Sequence, residues 1–267
     1  MALALLMAMP ALVLAQQQPQ NTLTITVKGV SFKMIRVQGG TFTMGCTSEQ
    51  GSDFGDCFDN ATPAHGVMLS TYYIGETEVT QELWKAVMGS NPSEFKGDKR
   101  PVEHVSWEDC QTFIHKLNEL TGKYFRLPSE AEWEFAARGG TKSAGYKYSG
   151  SNDIGAVAWY SDNSEIQDKS SPNYGTHVVK TKKPNELGIY DMSGNVREWC
   201  LDWYGEYHSF AHGVYNNPAG PSSGSGRVVR GGSWTSVNWH CSFSYRINQR
   251  PDLWVDDLGF RLVIRQE

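Results

Sequence analysis

The sequence predicts a single α+β domain, irregular and rich in loops. Three observations carry that prediction. Apolar periodicity changes from strand-like alternation in residues 22–37 to helical spacing between residues 80 and 138. Polar stretches rich in Ser, Gly and Asn then separate short apolar runs. Aromatic residues make up 12% of the 267 residues, with nine Trp and 27 Gly, which suits a fold pinned by large side chains and not a helical bundle.

The elements follow in order. Residues 22–37 (TLTITV, then SFKMIRV) read as a hairpin turned at Lys28-Gly29. GGTFTMG continues as a short strand, and residues 67–74 (VMLSTYYI) read as another. A helix over 80–88 takes Thr80 as N-cap and Gly89 as its stop. A second, over 106–120, carries the capping pair Ser106/Asp109 and an apolar stripe of Cys110, Phe113, Ile114, Leu117 and Leu120. The third, over 129–138, has Pro128 ahead of it, a capping box Ser129/Glu132, and Gly139-Gly140 behind. Residues 141–183 and 205–226 read as loop, RVV at 227–229 as a buried strand, and 260–264 as a closing strand. No repeat or inter-domain linker is evident, so one domain spans 22–267, with its core at 33–264.

Residues 1–15 are apolar and uncharged, with the small residues Val13 and Ala15 before Gln16. The pattern is that of a secretory signal peptide, too short for a transmembrane helix. Residues 16–21 then form a polar tether, and the mature chain is expected to be exported to the periplasm, the cell envelope or the medium. Charged residues at 20% and a formal net charge of −5 argue against a nucleic-acid partner. Of five cysteines, Cys46 and Cys57 flank a polar loop and suggest a local disulfide, and Cys110 suggests a buried thiol. Cys200 and Cys241 either pair with each other or leave Cys241 free.

The stretch 227–246 (RVVRGGSWTSVNWHCSFSYR) concentrates the reactive residue types. Gly231-Gly232 permits a turn closed to other residues. Ser233, Ser236 and Cys241 follow among Trp234 and Trp239, and His240 abuts Cys241, placed to depress a thiol pKa if the side chains converge. No nucleophile-elbow pattern is present. In DMSGNVRE, the carboxylates of Asp191 and Glu198 bracket a turn, an arrangement of hard oxygens suited to calcium. On spacing alone, a capped turn with solvated acids explains the segment better. His208 and His212 stand i, i+4, but their flanks read as loop and no third ligand is evident.

GGTFTMG, ETEVTQELW, PVEHVSWEDC, RLPSEAEWEFAARGG, GIYDMSGNVREW, RGGSW and LGFRLV occur here in one order. Together they resemble the sulfatase-modifying factor family, whose best-known members are formylglycine-generating enzymes. The resemblance implies the family's irregular, C-type-lectin-like α+β fold. It implies that Ser233 and Cys241 occupy active-site positions, with Ser236 where the enzymes carry the first of two copper-binding cysteines. Copper(I) is soft and prefers two thiolates, whereas a serine hydroxyl is hard, so copper is not expected here. The resemblance also implies a calcium site from the carboxylates of Asp191 and Glu198 and the carbonyls of Gly194 and Val196. The resulting expectation is an exported module that binds a protein or glycan, or serves an envelope assembly, without formylglycine-generating activity. Trp234, Trp239 and Trp254 would supply its binding face. The alternative is a divergent copper- and O2-dependent oxidoreductase acting on a sulfatase cysteine.

Overall fold

The computed structural model describes residues 20–50, 58–165, 169–207 and 213–265. β1 (Thr22–Val27) and β2 (Val30–Val37) form the expected hairpin. Lys28 (φ 47°) and Gly29 (φ 86°) are both left-handed at its turn, the conformation that matches the twist of the strands. β3 (Gly40–Met44) pairs with β4 (His65–Leu69). The single strand predicted over 67–74 is in fact two, because β5 (Tyr72–Gly75) enters a different sheet. Side chains capture the backbone at the break: Ser70 N–H donates to Asn217 Oδ1 (2.8 Å) and Gly39 N–H to Thr71 Oγ1 (3.0 Å).

The three helices appear with the predicted caps. α1 (Gln81–Met88) starts at Thr80 and ends at left-handed Gly89, and α2 (Trp107–Thr121) and α3 (Glu130–Ala137) carry complete capping boxes. The two-residue β6 (Phe125–Arg126) lies between α2 and α3. Cys110, Phe113, Ile114 and Leu117 are buried, but Leu120 is 47% exposed. The stretch read as loop contains two single turns, α4 (Ile154–Val157) and α5 (Ser161–Ser164).

Besides the short β6, the strands β7 (Arg197–Trp203), β8 (Val214–Asn216) and β10 (Arg246–Gln249) were not legible. In β7 the buried set includes Glu198 and Asp202, so hydrophobic alternation is broken by charges that the tertiary fold satisfies. β9 (Arg227–Arg230) is as predicted. The predicted 260–264 strand is realised only at its end, in β12 (Val263–Arg265), while β11 (Leu258–Gly259) precedes it and pairs in a different sheet.

The largest sheet runs β1-β2-β5-β12-β6 and is antiparallel throughout. Helices α1 and α2 cover one face, where Met34 and Tyr73 meet Trp84 and Phe113. Helix α3 covers the other, where Tyr72 and Ile74 meet Trp133 and Phe135. Alternate residues of β5 therefore enter opposite cores, which explains why all four are buried. The second sheet, β10-β9-β7-β11, and the third, β3-β4-β8, wrap the α3 side. No helix among the described residues is long and apolar enough to cross a membrane.

Helix α3 is buried on every side, its three glutamates included. Each is matched: Glu132 by Arg126 (2.6 Å), Glu130 by Arg246 (2.6 Å), and Glu134 by Arg230 and Arg138. Asp202 accepts the Glu130 N–H (2.9 Å) at the start of α3, yet burial, with the charges of Glu130 and Glu132, pushes its carboxyl up to about 8. The native state then holds a proton that the unfolded chain releases. Stability therefore falls as pH rises from about 4 to about 8. Asp202→Asn, which keeps the acceptor, is expected to flatten that slope in urea unfolding. An unchanged slope would refute a protonated Asp202.

Candidate functional site

The double-glycine loop and the acidic turn lie side by side. Strand β9 delivers Gly231 (φ 97°) and Gly232 (φ 68°), and a Cβ on Gly232 would stand 2.8 Å from the Cys241 sulfur. Only glycine fits a left-handed backbone at that distance. Gly194 N–H donates to Gly231 O (2.8 Å) and Trp234 N–H to Asn195 O (2.8 Å). The two motifs, remote in sequence, are thus joined backbone to backbone.

Within the loop the hydroxyls bond to one another and to an acid. Ser233 N–H donates to Ser236 Oγ (2.9 Å), closing a tight turn. Ser233 Oγ (2.9 Å) and Thr235 Oγ1 (3.1 Å) both donate to Asp257 Oδ2, whose other oxygen pairs with Arg197. The serine hydroxyls are thus committed to Asp257, Thr235 and one another, and among the described residues no imidazole hydrogen-bonds to either serine. Cys241 is fully buried among Tyr148 and Val157, and burial pushes its thiol up to about 12. His240 stacks on Tyr245 (4.2 Å) and is held neutral by burial and by Arg197. The depressed thiol suggested by the His240-Cys241 adjacency is therefore reversed. Cys200 and Cys241 are both free thiols and do not pair; Cys200 lies in the core beneath α3.

Of the three tryptophans, Trp234 is buried between Phe95 (5.1 Å) and Tyr174 (5.0 Å), with its indole N–H on Asp256 O (3.1 Å). Trp239 and Trp254 are 43% and 61% exposed.

The acidic turn is not solvated. Asp191 (φ 57°), Gly194 (φ 80°) and Asn195 (φ 62°) are left-handed, and Asp191, Gly194, Val196 and Glu198 are all buried. Glu198 accepts from Arg261 Nε and Nη2 (2.6 Å each) and from Trp133 Nε1 (2.7 Å). Asp191 Oδ2 accepts the Lys180 N–H (2.8 Å), and burial pushes its carboxyl up to about 6. Glu78, from the EVT segment before α1, was not singled out by sequence. It is 2% exposed, and among the described residues neither of its oxygens has a hydrogen-bond partner. His208, His212 and Cys57, the expected partner of Cys46, lie outside the described residues, as do residues 1–19.

Residues 22–266 match the sulfatase-modifying factor enzyme 1-like domain. The chain belongs to this family. It is 37% identical over 259 residues to chaperone protein LppX of Paenibacillus barcinonensis, covering 81% of this chain and 83% of that protein. It is 30% identical over 290 residues to formylglycine-generating enzyme of Streptomyces coelicolor, covering 85% and 87%. Among solved structures, Treponema denticola variable protein 1 superposes with a TM-score of 0.79 at 36% identity, over 93% of this chain and 100% of that one. PvdO from Pseudomonas aeruginosa shares the fold, with a TM-score of 0.72 at 23% identity over 88% and 94%. The irregular α+β domain predicted from the sequence is the fold these family members share.

The burial of Cys110, Cys200 and Cys241 has a direct readout. All three are expected to resist iodoacetamide in the folded protein and to react together in denaturant, counted by mass spectrometry. Rapid native labelling of Cys241 alone would show an accessible thiolate and overturn this reading.

Proposed function

We propose that the chain is an exported, non-catalytic member of the sulfatase-modifying factor family that binds a protein partner. The observation that carries this reading is the pairing at the active-site positions: Ser236 carries a hydroxyl already bonded to Ser233, and Cys241 a buried thiol held at about 12. Copper(I) prefers two thiolates, and a hydroxyl beside one buried, protonated thiol is a poor fit to it. The name of the relative from Paenibacillus barcinonensis, a chaperone, supports a partner of protein nature over a glycan. Exposed Trp239 and Trp254, with Val237 at 38% exposure, are the aromatic anchors such a surface would use. The apolar leader at 1–15 supports export to the periplasm, envelope or medium, and an oxidising compartment would suit a Cys46–Cys57 disulfide.

Calcium belongs to the same proposal. Its family ligand set here is Asp191, Gly194, Val196 and Glu198, an acceptor-only collection of hard oxygens on a left-handed turn. The orphaned carboxylate of Glu78 beside it supports a cation at this place.

The oxidoreductase alternative is favoured by the 30% identity to an enzyme of that activity. A copper(I) titration with a C-x-P-x-R peptide decides between them. No stoichiometric binding and no cysteine-to-aldehyde conversion are expected. Conversion that is lost in Cys241→Ala would overturn the binding-module reading.

A further inference from the structure

We propose that the free edge of β1 is the contact by which two copies of this chain pair, strand to strand, about a two-fold axis at Thr24.

The register fixes which backbone groups point outward. β1 pairs with β2 from Thr22↔Ile35 to Val27↔Val30. Arg36 N–H donates to Asn21 O (2.9 Å), so Asn21 and Arg36 face each other as a hydrogen-bonded pair and the pattern alternates from there. Leu23, Ile25 and Val27 therefore spend their N–H and C=O groups on β2. Those of Thr22, Thr24 and Thr26 point away from it, at the end of the sheet order β1-β2-β5-β12-β6. Among the described residues no hydrogen bond reaches these outward groups, and all three threonines are exposed.

The two edges of this sheet are built differently. At the far edge β6 is two residues long, and the Asn118 side chain takes both backbone groups of Phe125. Its Oδ1 accepts the Phe125 N–H (2.7 Å) and its Nδ2 donates to the Phe125 C=O (3.0 Å). β1 carries none of the devices that blunt an edge. TLTITV has no charge and no proline, and no bulge interrupts its register. It is six residues long and β-branched at every position except Leu23. Such a strand, about 20 Å in length, is a template for one more.

The order of residues along the edge selects a second copy. Laid antiparallel on itself about Thr24, β1 sets Thr24 opposite the second copy's Thr24 and Thr22 opposite its Thr26. Every outward N–H and C=O then finds a partner. A slip of one residue would set outward groups against inward ones. On one face threonine meets threonine, a favourable cross-strand pair, beside Ser31 of β2, whose hydroxyl already bonds that of Thr26 (2.8 Å). On the other face Leu23 meets the second copy's Ile25, extending the core that Ile25 and Val27 share with Leu83 and Trp84 of α1. With no charge on the strand, self-pairing brings no like charges together. The two-fold uses up one edge from each copy, so association stops at the dimer. One short strand a side makes a small interface, below about 1,200 Å2, and a dimer that dissociates on dilution.

The test is sedimentation equilibrium of the purified chain between about 1 µM and 1 mM, where weak interfaces populate, with thermal unfolding alongside. The wild type is expected to pass from monomer to dimer and no further. Thr24→Lys sets two ammonium groups at the axis and is expected to weaken dimerisation more than about 10-fold. Because Thr24 is exposed, the Tm of the dilute monomer should not change. Thr24→Pro removes one outward N–H, which an edge strand tolerates, and is expected to weaken dimerisation likewise. Under mild oxidation Thr24→Cys is expected to give a disulfide-linked dimer, whereas Thr22→Cys, displaced from the axis, is not. A wild type that stays monomeric throughout leaves the edge to a strand from another protein and overturns the proposal. A dimer that persists unchanged in Thr24→Lys and Thr24→Pro places the contact elsewhere and overturns it too.

Discussion

The Arg261 guanidinium is the point on which the molecule turns. It is fully buried, grips Glu198 of β7, and donates to the carbonyls of Gly75 and Tyr190. Through Glu198 it reaches Trp133 of α3. One side chain therefore ties the end of the central sheet, the second sheet, a buried helix and the acidic turn. Removing one partner of such a pair costs about 3–5 kcal/mol, because the other charge is stranded. The consequence is positional: strand β7 and the turn before it cannot shift without breaking that pair.

The same logic recurs around α3. A helix buried on all sides is ordinarily apolar on all sides, yet α3 carries Glu130, Glu132 and Glu134. Arg246, Arg230 and Arg126 come from three other segments to meet them, and Arg138 reaches back from the end of the helix itself. Arg246 is further enclosed by the rings of Tyr204 and Tyr207. Such pairs are weak evidence for stability, but they demand one register of strands and helix. In a domain with so little regular secondary structure, that demand substitutes for long ladders. It also makes the exception at Glu78 conspicuous, since every other acid discussed here has a donor.

The loop after β9 is built on hydroxyl hydrogen bonds and a buried thiol. Ser233, Thr235 and Ser236 form a closed hydroxyl network on Asp257 and Arg197, while Cys241 is sealed behind Tyr148 and Val157. Hydrogen bonds shared among these hydroxyls and Asp257 hold the loop in one arrangement. Backbone hydrogen bonds from Gly194 and Trp234 join that loop to the acidic turn.

The helices, their caps, the first hairpin and the double-glycine loop were legible in the sequence because local chemistry decides them. Ser106 with Asp109 and Ser129 with Glu132 satisfy helix N–H groups within four residues, and Lys28-Gly29 sets its own turn. The family motifs were likewise legible as a series. Strand β7 was not, because its buried Glu198 and Asp202 are tolerable only once Arg261 and the start of α3 arrive from elsewhere. Nor could spacing tell solvated acids from buried ones at Asp191 and Glu198, or a paired Cys241 from a free one. The sequence by itself determined which segments bend, cap and stop. The tertiary structure alone decided which charges find partners, and it left Glu78 without one, since burial and distance are properties of the packed chain.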